Sequence, residues 1–492
     1  MSMPIKQMFI DGEWVYSQKQ ETFPVLNPAT GETIAIVTKG GREDAQRAIS
    51  AARRAFDESG WAQTHARQRA DILNRVADLL EQRADEFAQV DTQNNGKPLR
   101  ESTYDVADAV NQFRYYAGLC TKPNGQTYDV PDDIQALVVR EPIGVVGAIT
   151  CWNYPLVMNA QKLAPALAAG NTIVIKPADL TPLTTIMLFE CLQEAGLPAG
   201  VANLITGPGS EVGDEISRNE LVDKVAFTGG TDTGIAIMKN AADTVKKLSL
   251  ELGGKSPNIV FADADFETAV DYALYAIFAN QGEVCSAGSR LILEEASYDR
   301  FLDRLVERAQ KIVVGNGMDE ETEMGPLISE SHMNRVLSYV QLGIGEGAKL
   351  LCGGNRLMEN GLEKGFFIEP TILEATDSSL RIVQEEIFGP VLVVQKFQTE
   401  QEAIRLANGT KFGLAGAVFT NDGAKAQRVI RKLRAGITWI NTYHPTFNEA
   451  PWGGYKQSGI GRELGTFGYE AYTEVKQINI NLQVKPSGWF RN

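Results

Sequence analysis

The sequence predicts an α/β fold in which two doubly wound βαβ units are accompanied by small β segments. Short apolar runs at residues 145–149, 172–175 and 201–205 are typical of buried parallel strands. Residues 183–195, which lie between the last two runs, have the spacing of a helix. Strand, helix and strand in succession predict a doubly wound sheet, and a second alternation of this kind follows Gly254.

Helices and further strands are predicted on both sides of this central region. The N-terminal residues contain no uninterrupted apolar segment, and they indicate the start of a strand rather than a signal peptide. Residues 43–94 place apolar side chains at helical spacing and predict amphipathic helices. Residues 124–142 and 471–482 alternate polar and apolar side chains, and each is too short to be a domain. The predicted strands of the second unit cover residues 258–261, 289–293 and 436–441.

The composition is that of a globular enzyme without a polyanionic partner. A chain of 492 residues suits two or three domains, and 43% hydrophobic with 22% charged residues is ordinary for a soluble protein. The net charge of −15 argues against nucleic acid and against an anionic membrane surface. No run reaches the roughly 18 apolar residues that a membrane span requires.

Cysteine and histidine usage predicts a reducing compartment and no metal centre. Five scattered cysteines do not form the pattern of a disulfide framework, so a cytoplasmic location is expected. Three dispersed histidines and the lack of any CxxC pair argue against a zinc site. The cysteines are Cys120, Cys151, Cys191, Cys285 and Cys352, and the histidines are His65, His332 and His444.

One cysteine and one carboxylate form a candidate pair of nucleophile and base. Cys285 lies in the segment NQGEVCSAGSR, and Glu251 lies upstream in LELGGK among apolar residues and glycines. A thiolate is the reactive form of cysteine, and a carboxylate can take a proton when burial raises its pKa. Spacing alone favours a structural cysteine, since most cysteines are small core residues.

Seven further motifs favour a catalytic rather than a structural role for Cys285. Together with the two segments above, they resemble the NAD(P)-dependent aldehyde dehydrogenase superfamily over nearly the whole chain, most closely its betaine-aldehyde and general aliphatic-aldehyde members. In chain order the motifs are NPATGE (27–32), WNYP (152–155), PALAAGN (165–171), KP (176–177), FTGG (227–230), EEIFGP (385–390) and GGYKQSG (453–459).

The resemblance implies an aldehyde-dehydrogenase-like fold and a division of the chain. Residues 1–123 and 143–254 would form the dinucleotide-binding domain, and residues 255–455 the catalytic domain that carries the nucleophilic cysteine. Residues 124–142 and 471–492 would pair as an oligomerisation sheet, with one chain donating strands to another. A homodimer or homotetramer is therefore expected.

The cofactor implied by the resemblance is NAD, and NADP is possible. Residues 225–227 predict a strand, and the glycines that follow let backbone N–H groups approach a pyrophosphate at a helix N-terminus. Lys176 ends a predicted strand and resembles the ribose-binding lysine, while Asp179 would repel a 2′-phosphate less completely than a glutamate. The segment 207–213 has one residue too many for GxGxxG and is interpreted as a structural loop. Candidate cofactor residues are Ile149, Thr150, Trp152, Lys176, Asp179, Gly209, Gly213, Phe227, Thr228, Gly229, Gly230, Thr233, Leu252, Gly253, Glu386 for the nicotinamide ribose and Phe388 beside its ring.

The chemistry that these residues allow is covalent oxidation of an aldehyde. The Cys285 thiolate would attack the carbonyl carbon, and Asn153 with the Cys285 backbone N–H would stabilise the oxyanion. Hydride would pass to the nicotinamide, and Glu251 would activate water to hydrolyse the thioester. Lys162 and Glu463 match family positions that support the proton relay.

Three departures from the family pattern bear on the substrate and the thiol. Cys151 stands where proline usually precedes Trp-Asn, and it could pack as an apolar residue or offer an oxidation partner. Glu283 stands in place of the usual glutamine, and would raise the thiol pKa unless it points away. Gln161 stands where betaine-aldehyde members carry tryptophan, which weakens a cation–π box and favours a broader aldehyde range. The expected substrate-binding residues are Tyr154, Gln161, Val284, Ser286, Tyr443 and Trp452.

Other functions remain open at this point. The substrate could be betaine aldehyde or an aliphatic, amino- or retinal aldehyde. A thiol hydrolase or esterase would use His444 as the base for Cys285, a CoA-acylating enzyme would not need Glu251, and a non-catalytic member would not need the intact set.

Overall fold

The structure is a computed structural model, and it describes residues 3–122, 125–131 and 133–490. Residues 1, 2 and 123 of the predicted dinucleotide-binding domain lie outside the described residues, as do 124, 132, 491 and 492 of the predicted oligomerisation segments. All statements below refer to the described ranges. The domain boundaries themselves stay a prediction.

Twenty-one strands occur in the described residues, and most of them are short. In chain order they are β1 (Ile5–Lys6), β2 (Met8–Ile10), β3 (Glu13–Val15), β4 (Thr22–Leu26), β5 (Thr33–Thr38), β6 (Gln126–Tyr128), β7 (Ile134–Pro142), β8 (Val145–Ile149), β9 (Thr172–Lys176), β10 (Ala202–Leu204), β11 (Lys224–Thr228), β12 (Lys247–Glu251), β13 (Pro257–Val260), β14 (Arg290–Glu294), β15 (Lys349–Cys352), β16 (Thr371–Glu374), β17 (Val391–Phe397), β18 (Ala415–Phe419), β19 (Ile437–Ile440), β20 (Gly459–Ile460) and β21 (Thr473–Asn481).

Fifteen α-helices connect these strands within the described ranges. They are α1 (Arg42–Glu58), α2 (Ala66–Gln82), α3 (Ala84–Asn95), α4 (Leu99–Leu119), α5 (Pro155–Ala169), α6 (Leu183–Glu194), α7 (Asp214–Arg218), α8 (Thr231–Ala241), α9 (Phe266–Phe278), α10 (Tyr298–Ala309), α11 (Glu330–Gly345), α12 (Arg381–Gln384), α13 (Glu400–Asn408), α14 (Gly423–Ile430) and α15 (Gly465–Glu470).

The first large sheet has eight strands in the order β20-β12-β11-β8-β9-β10-β2-β3. Its five central strands, from β12 to β10, are parallel, and antiparallel strands close both edges. Every residue of β8, β9 and β11 is buried, because helices cover both faces of the sheet. The predicted parallel strands and the helix after β9 are therefore confirmed.

The second large sheet has seven strands in the order β15-β16-β17-β14-β13-β18-β19. All its pairs are parallel except the edge pair of β15 with β16. The three strands predicted for this unit from the sequence correspond to β13, β14 and β19. The predicted α/β class with two doubly wound sheets is confirmed.

Two smaller sheets complete the described structure. Strand β21 pairs antiparallel with β7 along its whole length, from Thr473 opposite Pro142 to Asn481 opposite Ile134, and β6 lies on the other side of β7. The two segments expected to pair do so within one chain, and their role in oligomerisation stays a prediction. Strands β1, β5 and β4 form the other small sheet.

The loop prediction for residues 207–213 is wrong in its second half. Residues Gly209–Gly213 form one wide helical turn that runs directly into α7. The turn begins after Pro208, whose carbonyl accepts hydrogen bonds from the backbone N–H groups of Glu211 and Val212. Pro208 stands at the start of the turn, where its missing N–H costs no helical hydrogen bond, and the glycine count did not reveal this helix start.

Helix α5 packs against α4, α2 and α6 and is almost entirely buried. Pro155 occupies its first turn, and Gly170 ends it with a left-handed φ of 90°. At the centre of this helix, two buried residues carry long polar side chains, Gln161 and Lys162. Buried polar groups require hydrogen-bond partners, so these two side chains must be satisfied inside the protein. Within the described ranges, no helix combines the length and apolar character needed to cross a membrane.

Candidate active site

Cys285 follows a tight turn whose residues adopt the left-handed backbone conformation. Asn280, Gln281 and Gly282 all have left-handed φ values, of 45°, 55° and 70°. A Cβ at Gly282 would lie 2.3 Å from the carbonyl oxygen of Gly389, so glycine is required there for space as well as for conformation. Glu101 accepts a hydrogen bond from the backbone N–H of Asn280 at 2.9 Å and holds the turn from outside. The turn lies just before Cys285, which is half-buried.

Asn153 is tied to the segment that precedes the thiol. Its Nδ2 donates to the carbonyl oxygen of Glu283 at 2.7 Å. Lys97 and Asn280 both donate to the backbone carbonyl of Asn153, at 2.9 and 3.1 Å. One amide hydrogen of Asn153 is therefore used to orient the side chain, and the second can point at an oxygen that develops negative charge.

The Cys285 thiol lies in surroundings that favour its protonated form. Burial is the main reason that its pKa is raised, and the nearby Cys151, Glu251 and Glu386 raise it further. Of the two departures that could act on the thiol, Cys151 therefore contributes.

Glu283 points away from Cys285. Its Oε1 accepts from the backbone N–H of Ile328 at 3.0 Å, and His332 Nε2 lies 3.6 Å from the same oxygen. Burial raises the pKa of Glu283, and the Ile328 backbone hydrogen bond opposes this shift. The sequence left both orientations of this carboxylate open, and packing against the loop before α11 selects one.

Glu251 is the last residue of β12 and is 5% exposed. Neither of its carboxyl oxygens has a hydrogen-bond partner among the described residues. Its pKa is raised by burial first and by the charge of Glu463 second, while Lys162 and Arg462 oppose the shift. A buried carboxyl with free oxygens and a raised pKa suits a base that takes a proton from water.

Lys162, Glu463 and Gln161 form one hydrogen-bonded cluster. Lys162 Nζ donates to Glu463 Oε1 and, at 2.8 Å, to the hydroxyl of Thr228. Gln161 Nε2 donates to the other carboxyl oxygen of Glu463 at 2.5 Å. The structure thus directs the amide of Gln161, which was expected to line the substrate pocket, toward Glu463.

The candidate phosphate site is the start of α8. Thr228, Gly229 and Gly230 connect β11 to this helix, and the N-cap position, Gly230, has no side chain to occupy the free N–H groups. An uncapped helix N-terminus suits a pyrophosphate. Thr233 is exposed in the first turn, and the ring of Phe227 packs under Gly229.

Lys176 and Asp179 lie together at the end of β9. Lys176 Nζ contacts Asp179 Oδ1 at 3.0 Å and the carbonyl oxygen of Pro177 at 2.7 Å. Burial lowers the pKa of Lys176, and Asp179 counteracts this. Gly213 faces Lys176 and Ile149, whereas Gly209 has open space around it. The structure therefore brings these predicted residues to one place, and Gly209 begins the turn that ends at Gly213.

Glu386 lies against the glycines that follow Glu251. Its Oε1 accepts from the backbone N–H of Gly254 at 2.9 Å, and a Cβ at Gly253 would come within 2.0 Å of its Oε2. Gly253 is needed for this close approach. Burial is the main reason that the pKa of Glu386 is raised to about 7. Leu252, also predicted to bind the cofactor, is buried beside this glycine pair.

An aromatic cluster contains Trp152 and Phe388. Their ring centroids are 5.2 Å apart, and Trp152 lies at the same distance from the ring of His332. His332 Nε2 contacts the carbonyl oxygen of Phe388 at 2.6 Å. Thr150 is anchored nearby, because its backbone N–H donates to the backbone carbonyl oxygen of Lys176 at 3.0 Å. Phe388, which was predicted to lie beside the nicotinamide ring, is thus held by His332, a residue that the sequence did not indicate for this site.

The expected substrate residues divide into buried and accessible members. Tyr443 is fully buried, and its hydroxyl donates to the carbonyl oxygen of Ser286 at 2.8 Å. Val284 and Ser286 are also buried, while Tyr154 and Trp452 are half-buried. Trp452 and Glu463 exchange two backbone hydrogen bonds, at 2.7 and 2.8 Å.

Lys97 and Tyr275 are neighbours of this region that the sequence analysis missed. The ammonium group of Lys97 lies 4.1 Å from the ring centroid of Tyr154. Lys97 is followed at helical spacing by Glu101 and Asp105, and this pattern was the available signal for a buried charge cluster. Tyr275 is half-exposed and packs edge-on against His444 with centroids 5.1 Å apart.

His444 does not serve Cys285 as a base in this geometry. Its ring packs against Tyr443 with centroids 4.9 Å apart, and burial lowers its pKa to about 4. In the described part of the chain, no group of three or more His, Cys, Asp or Glu side chains is arranged to hold a metal ion.

The chain resembles known proteins over almost its full length. The aldehyde dehydrogenase family matches residues 14–478. The chain is 53% identical over 486 residues to betaine aldehyde dehydrogenase of Bacillus subtilis (strain 168), with 99% of both chains covered. It is 45% identical over 484 residues to retinal dehydrogenase 2 of Homo sapiens, covering 98% of this chain and 93% of that one. Betaine aldehyde dehydrogenase from Staphylococcus aureus, solved in complex with NAD+, matches with a TM-score of 0.98 and 50% identity, covering 99% of this chain and 97% of that one.

Proposed function

This chain belongs to the aldehyde dehydrogenase family, and we propose that it oxidises an aldehyde to its carboxylic acid with NAD, through the thiol of Cys285. The observation that carries this proposal is the convergence of Cys285, Asn153 and Glu251. Asn153 is hydrogen-bonded to the residue two before the thiol, and the charge of Glu251 acts on the thiol pKa.

The described residues fit a nicotinamide dinucleotide. The uncapped start of α8 suits the pyrophosphate, and Lys176 with Asp179 suits a ribose. Glu386 and Phe388 would hold the nicotinamide riboside beside the thiol. When bound, the cofactor accepts the hydride that leaves the substrate carbon. The carboxylate of Asp179 favours NAD over NADP, because it would repel a 2′-phosphate.

The chemical steps assign one task to each residue. The Cys285 thiol first loses its proton to solvent water. The thiolate sulfur bonds to the aldehyde carbon while the carbonyl π electrons move to oxygen, and the free amide hydrogen of Asn153 and the Cys285 backbone N–H stabilise that oxygen. After oxidation to the thioester, Glu251 takes a proton from water while the water oxygen bonds to the acyl carbon. The carbon–sulfur bond then breaks, and the carboxylic acid leaves Cys285 free.

Betaine aldehyde is the candidate substrate, and a broader range of aldehydes is the alternative. The half-buried rings of Tyr154 and Trp452 support an apolar or cationic substrate group. One feature favours the broader range: Lys97 already places a positive charge 4.1 Å from the Tyr154 ring. A second cation gains less from a ring that already faces one.

The protein assembles as a homodimer or homotetramer through the β6-β7-β21 sheet and acts in the cytoplasm. Support for the assembly comes from exposed apolar side chains on β21, among them Val475 at 59% exposure. Light scattering tests the assembly, since the chain mass is 53.7 kDa and a dimer or tetramer gives a multiple of it.

The experiment that tests the activity measures NADH formation with a panel of aldehydes. The panel contains betaine aldehyde, aminoaldehydes, neutral aliphatic aldehydes of like size, and retinal. Cys285→Ala should lose NADH formation and esterase activity but still bind NAD in calorimetry. Turnover that survives this substitution would refute the covalent mechanism.

A further inference from the structure

The side chain of Gln161 is buried within the protein rather than free to contact a ligand. It is 3% exposed, and its amide donates to Glu463 Oε2 at 2.5 Å. A glutamine amide has two hydrogens, and Gln161 donates one of them to the charged carboxylate of Glu463. Hydrogen bonds to charged groups are the stronger ones in proteins.

Glu463 is held by two consecutive residues of α5. Lys162 Nζ donates to Oε1 while Gln161 donates to Oε2, so both carboxyl oxygens are occupied. The backbone of Glu463 is also fixed, because it exchanges two hydrogen bonds with Trp452. Its carboxylate therefore has one position, and Gln161 supplies one of the two contacts that define it.

The charge of Glu463 acts on Glu251. After burial, it is the largest reason that the pKa of Glu251 is raised, and Lys162 and Arg462 oppose it. Glu251 itself has no hydrogen-bond partner among the described residues, so no hydrogen bond competes with burial and these charges in setting its protonation. The other titratable groups facing the Glu251–Glu463 pair are Cys285, Lys224, Tyr116 and Tyr472.

We propose that Gln161 is a positioning residue for thioester hydrolysis, which fixes the position of the Glu463 carboxylate relative to the base Glu251. The inference rests on the proposed function, since Glu251 needs this control only if an acyl group on Cys285 has to be hydrolysed. Gln161 acts through Glu463 and does not contact the substrate.

Removing the amide donor of Gln161 should shift the pH dependence of thioester hydrolysis in one direction. In Gln161→Met, a side chain of similar length cannot donate, and the Glu463 anion loses one of its two partners. The charge of Glu463 is then no longer fixed in its position, and it raises the pKa of Glu251 less. Glu251 becomes a base at lower pH, so the acidic limb of the hydrolysis rate moves to lower pH.

The experiment follows the decay of the acyl-enzyme directly. Cys285 is acylated with an activated ester, and loss of the acyl group is followed by mass spectrometry across a pH series. Wild type, Gln161→Met and the control Leu163→Met, a buried substitution on the same helix, are compared. We expect the shift in Gln161→Met only, with an unchanged KM for aldehydes of different shape.

A double substitution tests whether the effect passes through Glu463. In a Glu463→Gln background, Gln161→Met should produce no further shift, because the carboxylate that it acts on is gone. An equal shift in both backgrounds would overturn the inference. So would an unchanged pH limb combined with KM changes that follow aldehyde shape, since that result makes Gln161 a pocket wall. If wild type forms no acyl-enzyme and no NADH, the proposed function fails instead.

Discussion

Replacing Glu251 by glutamine separates the two halves of the proposed reaction. Both carboxyl oxygens of Glu251 lack a partner among the described residues, so the isosteric amide breaks no hydrogen bond there. The site is 5% exposed, and removing a buried charge from it should not destabilise the fold. Glu251→Gln therefore removes the base and little else.

The structure gives the two steps opposite responses. Glu251 is one of the groups that raise the pKa of the Cys285 thiol, so its neutralisation lowers that pKa and acylation is not slowed. Hydrolysis loses general base catalysis, which contributes about 10²- to 10⁴-fold, or about 3–5 kcal/mol of barrier. The thioester should therefore accumulate on Cys285.

Stopped-flow measurement of NADH gives the readout. We expect a burst of about one NADH per Cys285, followed by a steady rate about 10²- to 10⁴-fold below that of wild type. The trapped acyl group adds a mass increment to the peptide containing Cys285, which confirms the position of the block. Steady turnover at the wild-type rate, or loss of the burst itself, would refute Glu251 as the base of hydrolysis.

Three further substitutions test other parts of the site. Asp179→Ser should raise kcat/KM for NADP relative to NAD, because it removes a negative charge beside Lys176; an unchanged ratio in initial-rate kinetics would place the discrimination elsewhere. Glu283→Gln should leave the pH profile of ester acylation in place, because this carboxyl faces Ile328 and not the thiol; a shift to lower pH would contradict that orientation. Lys97→Met should destabilise the protein by about 3–5 kcal/mol, since it leaves buried carboxylates without their cation. In thermal unfolding that loss should be largest above pH 7, because burial raises the pKa of Asp91 and of Glu101, two carboxyls that interact with Lys97, to about 7; an equal loss at low pH would argue against it.

The strands and helices could be predicted because their signals are local. The apolar run at Val145–Ile149 and the helical spacing of residues 43–94 each extend over a few turns of chain, and the structure has buried strands and amphipathic helices there. The turn after Pro208 was missed because its glycines matched no known spacing. A wide helical turn depends on one backbone carbonyl, which composition does not register.

The orientation of single side chains was beyond the sequence. Glu283 could have faced the thiol or turned away, and the backbone N–H of Ile328, in a loop 45 residues later, decides between them. Gln161 was expected in the pocket because the family resemblance implies an aromatic side chain at that position. Its actual partner, Glu463, lies 302 residues further along the chain.

By itself, the sequence predicted the α/β class from the periodicity of its strands and helices. The family resemblance carried by its motifs predicted Cys285, Glu251 and Asn153 as the reactive groups. Only the tertiary structure decided which of these groups are buried, which are hydrogen-bonded, and which neighbouring charges shift the pKa of each one. The physical reason is that burial and hydrogen bonding depend on distances between elements far apart in sequence, as in the contact of Asn153 with Glu283 across 130 residues.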